Sequence, residues 1–168
     1  MQKKDLKILA QEDAFQLIGK EWMLITAGDK DNFNTMTASW GGIGWLWNRP
    51  VAYIFVRPER YTYEFIERGG RVTLSFLGEE NKPIMNLCGS KSGRDIDKVK
   101  ETGLRPIETE RGGVAYQQSR LTLDCHVLFR SPMQEQHFLD KEILNRWYND
   151  NPGGSLHVMY VLEIDDVY

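Results

Sequence analysis

The chain reads as mainly β with short inserted helices, a β-barrel carrying helical decorations. Three stretches carry that expectation. Asn34-Thr35-Met36-Thr37-Ala38-Ser39-Trp40 alternates hydroxyl and apolar side chains, the two-residue period of a strand. Val51 to Val56 is a near-continuous apolar run, which suits a central strand covered on both faces. Leu121 to Phe129 alternates again, with Leu121, Leu123, Cys125, Val127 and Phe129 facing one way. The helical segments between strands are short and do not alternate regularly with them, so βαβ units are not expected.

A chain of 168 residues is one domain's length, residues 1–168, with enough material for a sizeable core. The formal net charge of -3 gives no electrostatic reason to bind nucleic acid or an anionic membrane. Met1 to Asp5 is charged and no apolar run follows it, which argues against a signal peptide; no run approaches membrane-spanning length. Cys88 and Cys125 are widely separated and read as reduced thiols of a cytoplasmic protein. His126, His137 and His157 lack helical metal spacing, so no metal site is expected.

In order along the chain, residues 11–20 suit a short amphipathic helix, with Ala14, Phe15, Leu17 and Ile18 inward. Glu21 to Gly28 is bulky and β-prone, and Asp29 to Asn32 is a polar turn. The alternating stretch is the returning strand, ending in Gly41-Gly42. Gly44 to Pro50 reads as an aromatic-rich loop before the Val51–Val56 strand, which Arg57-Pro58 terminates. Glu59 to Gly69 suits a helix with Tyr61, Phe65 and Ile66 as its apolar stripe, stopped by Gly69-Gly70. A strand follows over Arg71 to Leu77, then a helix over Asn81 to Leu87. Cys88 to Asp95 reads as a glycine-punctuated loop, and Asp95 to Glu101 as a short helix ended by Gly103. Leu104 to Glu110 and Val114 to Gln118 flank Arg111-Gly112-Gly113 as a hairpin. After the Leu121–Phe129 strand come a helix over Phe138 to Trp147, a loop over Asn149 to Gly154, and a last strand over His157 to Ile164.

The chemistry-bearing stretches begin with exclusions. No P-loop and no GxGxxG turn is present, so a classical nucleotide fold is not expected. Ser39 lacks a nucleophile-elbow context and no histidine can be assigned to it as a base. Arg57, with Tyr61 and Thr62 in the first turn of the following helix, forms a possible dianion cradle. Taken alone, Arg57 suits a surface ion pair with Glu59 or Glu64 better. Ser92-Gly93-Arg94-Asp95-Ile96-Asp97-Lys98 offers backbone donors and two cations, or equally a capped helix with solvated charges. Trp40, Trp45, Trp47 and Tyr53 are numerous enough to stack on a flat ring; Trp45 and Trp47 suit core or subunit packing better.

Taken together, Asn34-x-Met36-Thr37-x-Ser39-Trp40, Arg57-Pro58-x-x-Tyr61-Thr62 and Cys88-Gly89-x-x-Ser92-Gly93-Arg94-Asp95-x-Asp97-Lys98 resemble the flavin reductase-like family, particularly its flavoredoxin-type members. The similarity runs from about residue 20 to the final strand. It implies an FMN-binding split β-barrel that forms a homodimer, with FMN held noncovalently near the subunit interface. By motif, Asn34 and Thr35, Met36, Thr37, Ala38, Ser39 and Trp40 would lie along the flavin ring and ribityl chain. Arg57, Tyr61 and Thr62 would approach the phosphate, and Ser92, Arg94 and Lys98 would close over the cofactor. The implied activity is hydride transfer from NAD(P)H to the flavin, with onward transfer to a small-molecule or protein acceptor. No protein acid or base is then needed, and no catalytic side chain is assigned. Two other readings stand beside it: an FMN electron-transfer protein without robust NAD(P)H oxidase activity, and a flavin-free split-barrel binding protein. Two departures from the family pattern are Leu162, where a glycine is expected, and the tryptophan-rich Gly44–Asn48 loop.

Overall fold

A computed structural model describes residues 1–149 and 154–168. Seven strands form one antiparallel sheet: β1 (Met23–Asp29), β2 (Asn32–Ala38), β3 (Gly41–Leu46), β4 (Arg49–Val56), β5 (Arg71–Phe76), β8 (Leu121–Pro132) and β9 (Val158–Val167). Strands β6 (Pro106–Glu108) and β7 (Val114–Tyr116) make a separate two-stranded hairpin. Among the described residues, five short α-helices decorate the sheet: α1 (Ala14–Gln16), α2 (Tyr61–Glu67), α3 (Lys82–Ser90), α4 (Lys98–Thr102) and α5 (Lys141–Leu144). Among the described residues no helix is long and apolar enough to cross a membrane.

The strand order β2-β1-β5-β8-β9-β4-β3 explains the curvature. Strands β2 and β3 are the two edges, yet only Ser39 and Trp40 separate them in sequence. Three chain steps span at most about 11 Å, whereas a flat seven-stranded sheet is about 29 Å wide. The sheet must therefore roll until its edges meet. Those edges are not hydrogen-bonded to each other, so the barrel is split beside the 34–40 stretch.

Alternation on β1 divides the core. Met23, Ile25 and Ala27 join the main cluster with Ile54, Leu74, Leu123 and Leu162, while Leu24 packs with Met85, Cys88 and Tyr116 on the opposite face. Helix α2 adds Phe65 and Ile66 to the first cluster; α3 adds Met85 and Cys88 to the second. Strand β2 is thus covered on both sides. Two-residue turns set its neighbours. In the β1–β2 turn, the Asp29 carboxylate accepts from the Asp31 and Asn32 amides, each at 2.9 Å. Between β3 and β4, Trp47 and Asn48 both adopt positive φ, 50° and 59°, a type I′ geometry whose twist matches the strands.

Several boundaries differ from the expectation. Gly44 to Leu46 belong to a strand, because Trp45 pairs with Pro50 and Leu46 with Arg49. Strand β4 is not central; only β3 lies beyond it. Residues 11–20 are not one helix: a 3₁₀ turn (Leu6–Gln11), α1 and a π turn (Leu17–Glu21) follow in succession. Helix α3 runs to Ser90 and absorbs Cys88 and Gly89 from the expected loop. The single-face alternation of Leu121 to Phe129 breaks at a bulge between Val127 and Phe129, leaving Phe129 45% exposed. The helix over 138–147 shrinks to α5 and a π turn (Asn145–Asn149). The expected Asn149–Gly154 loop falls mostly on residues 150–153, outside the described residues.

Candidate cofactor site

Two neighbouring spaces lie beside the split. An open cleft of about 530 Å³ is lined by Met36 to Trp40 at the end of β2, by Phe55 and Arg57 at the end of β4, and by Arg60, Arg146, Trp147 and His157. A smaller cavity of about 140 Å³ is lined by residues including Asn34, Thr62, Ser92, Gly93 and Lys98. Met36 and Arg60 line both, so the two spaces are neighbours.

The alternating stretch serves several surfaces. Thr35 is buried on the α3 side; its hydroxyl donates to the Ile25 carbonyl at 3.3 Å and accepts from Thr26 at 3.0 Å. Thr26 is in turn 3.2 Å from the Tyr116 hydroxyl, and burial pushes Tyr116 up to about 12. Thr37 donates to the Met85 carbonyl at 2.6 Å. Those two hydroxyls are therefore engaged within the protein. Ser39 has no side-chain partner among the described residues and lines the cleft. Trp40 is 37% exposed and stands edge-on to Trp147, with ring centroids 5.2 Å apart, and tilted against His157 at 5.1 Å. Asn34 is buried and donates to the Thr62 hydroxyl at 2.7 Å, tying β2 to α2.

The smaller cavity is cationic. Lys98 is 6% exposed, and its ammonium donates to the carbonyls of Thr35 at 2.8 Å and Cys88 at 2.9 Å. Burial, with a smaller contribution from Arg60, brings its pKa down to about 8. Arg60 precedes α2 and reaches the Cys88 carbonyl at 3.4 Å; burial lowers its pKa, and neighbouring Arg57 lowers it further. Neither cation forms a salt bridge among the described residues. The carboxylate at the rim, Glu59, accepts from the Ser155 amide at 2.6 Å. The backbone also crowds this space: a Cβ on Gly93 would lie 1.9 Å from the Asn34 Oδ1. A compact dianion with several oxygen acceptors suits two such cations beside the Thr62 and Ser92 hydroxyls.

The structure thus brings Asn34, Tyr61, Thr62, Ser92 and Lys98 around one cavity. Arg57 lines the neighbouring cleft instead, where it donates to the Trp147 carbonyl at 2.9 Å and lies over the Tyr148 ring. Arg94 stacks on Tyr61, pairs with Glu64 and donates to the Glu59 carbonyl at 3.3 Å, bracing the outside of the cavity. Sequence reasoning missed Arg60, Phe55, Arg146 and Trp147. Arg60 had a local signal, as the residue before the Tyr61-Thr62 pair; the other three arrive through tertiary folding. His157 borders the cleft; its Nδ1 lies 2.8 Å from the Tyr148 hydroxyl, and burial followed by Arg57 lowers its pKa to about 4. His126, Glu163 and Asp165 gather elsewhere with ligand atoms within 4.8 Å, but Arg49 already pairs with Glu163 and Arg71 with Asp165.

An open cleft with aromatic lining beside a cationic cavity is a donor set that fits a flavin carrying a phosphate. Among solved structures, flavoredoxin from Methanosarcina acetivorans superposes with a TM-score of 0.68 at 20% identity, over 89% of this chain and 68% of its own. The FMN-binding protein from Thermus thermophilus with bound 1-cyclohex-2-enone gives 0.68 at 16% identity, over 88% and 68%. Flavoredoxin of Desulfovibrio vulgaris (Miyazaki F) gives 0.67 at 20% identity, over 99% and 76%. These likenesses show the fold, a flavin reductase-like split barrel. No curated protein matches the sequence. The flavin reductase like domain model matches residues 15–168, nearly the whole chain, and the protein belongs to that family.

Proposed function

We propose that this chain binds FMN and works as an NAD(P)H-dependent oxidoreductase, passing reducing equivalents through the flavin to a small-molecule or protein acceptor. One observation carries the FMN assignment: two cations, Arg60 and buried Lys98, with no carboxylate partner among the described residues, line a cavity that adjoins an open cleft of about 530 Å³. Bound FMN would supply the ring that accepts hydride or electrons. The chain's own residues bind and orient. Thr62, Ser92, Arg60 and Lys98 hold the phosphate, while Met36, Ser39 and Trp40 line the ring space. Trp147 and Phe55 limit water on the cleft side. No acidic side chain lines that cleft among the described residues.

The assembly we propose is a homodimer. Trp45 and Trp47 are 64% and 56% exposed, and Trp47 lies against exposed Phe129 with centroids 6.2 Å apart. Three large apolar groups exposed together suit a subunit contact. Trp47 also holds a positive φ, an uncommon and costly conformation for an aromatic residue, which presents its ring outward.

The purified protein should bind FMN with a visible flavin spectrum and rising thermal stability. Absence of both overturns the assignment and leaves a flavin-free binding protein. Anaerobic mixing with NADH or NADPH should bleach the flavin rapidly. A bound flavin that fails to bleach overturns the reductase reading in favour of electron transfer alone.

A further inference from the structure

The phosphate cavity leaves two cations unassigned. Arg57 and Arg146 line the ring cleft, both anchored on Trp147: Arg57 donates to its carbonyl at 2.9 Å, and the Arg146 guanidinium lies 5.1 Å from its ring centroid. Neither forms a salt bridge among the described residues. Beside Trp147 the cleft adjoins a second recess of about 350 Å³, lined by groups including Trp40, Phe55, Met133, Phe138, Trp147 and Tyr148. Trp40, Phe55 and Trp147 line both spaces, and no acidic side chain lines either among the described residues.

This pairing differs from the phosphate cavity. There, hydroxyls and an ammonium surround a compact space. Here, guanidiniums line a cleft that adjoins an almost wholly aromatic and aliphatic recess. A phosphate would find few hydroxyl donors. A neutral apolar ring would leave two cations unmatched, and a simple anion would leave the recess empty. We propose that Arg57, Arg146 and the recess form a subsite for a second ligand, a small ring-bearing carboxylate, whose ring enters the recess and whose charge meets the guanidiniums. The proposal rests on the FMN reading only in assigning the phosphate to the other cavity.

Calorimetric titration with 2-naphthoate and its neutral isostere 2-naphthamide tests the subsite, using FMN-loaded protein and, in parallel, flavin-free protein. Flavin content, read by absorbance, reports separately on the FMN reading. The expected result is naphthoate binding at least tenfold tighter than naphthamide, with acetate binding far more weakly than either. Arg146→Gln, at an exposed position, should reduce the naphthoate preference to threefold or less, and Arg57→Gln should act in the same direction. Equal affinity of the two probes, an unchanged preference in both variants, or no binding of either probe at millimolar concentration overturns the proposal. So does displacement of naphthoate by NADPH but not NADH, which would assign the cations to a phosphorylated donor.

Discussion

Replacing Lys98 with methionine isolates the cation at the base of the cavity, because the stem length is kept and only the charge is lost. In the free protein its pKa lies near 8 rather than 10.5, so the charged form is disfavoured by on the order of 3 kcal/mol. Removing the ammonium relieves that penalty but leaves the Thr35 and Cys88 carbonyls without their donor, at about 1 kcal/mol each. The free variant should therefore melt close to the parent. FMN binding should respond quite differently. A charge-assisted contact to phosphate contributes about 1.5–3 kcal/mol, so FMN affinity should fall roughly 10- to 100-fold at 1.4 kcal/mol per decade. Riboflavin has the same ring and no phosphate, and its affinity should change less than about threefold. Titration calorimetry with both ligands on both proteins measures the four constants. Equal losses for FMN and riboflavin, or no loss for FMN, would refute the placement of the phosphate at Lys98.

Three further outcomes follow from the same geometry. The Lys98 ammonium must be charged to meet the phosphate, and burial holds its free pKa near 8, so FMN affinity should be fully present below pH 8 and fall above it, approaching tenfold per unit, while riboflavin affinity stays flat to pH 9.5; fluorescence titration across pH 7–9.5 checks this. Arg60→Ala should weaken FMN more than riboflavin, whereas Arg57→Ala should affect the two alike, since Arg57 lines the cleft and not the cavity; the reverse pattern would return the phosphate to Arg57. Trp45→Glu with Trp47→Glu should convert the proposed dimer to a monomer in sedimentation velocity, and an unchanged mass would place the contact elsewhere.

The strands and the family motifs were legible because both are local. Alternation from Asn34 to Trp40 encodes a strand whatever it packs against, and Val51–Val56 can hardly be anything else. The failures had one local and one long-range origin. The Trp47-Asn48 turn lacks the usual glycine, so its positive φ angles leave only Asn48 as a sequence signal and Gly44 to Pro50 reads as a loop. The bulge at Val127/Phe129 depends on pairing with β9, some thirty residues later, and alternation alone cannot register it.

For the site, residue types were readable and partners were not. From the sequence, the family resemblance implied that Arg57, Tyr61 and Thr62 approach a phosphate while Ser92, Arg94 and Lys98 close over the cofactor. Only the tertiary structure decided that Thr35 and Thr37 spend their hydroxyls on Ile25 and Met85, and that Arg57 turns toward Trp147 while Arg60 faces the cavity. The physical reason is the roll of the sheet. Its two edges meet across Ser39 and Trp40, which brings the ends of β2 and β4 together with a turn from residues 145–149. Spacing along the chain forces that closure only once the strand order is known, and nothing local in the sequence says that β2 and β3, two residues apart, are opposite edges of one sheet.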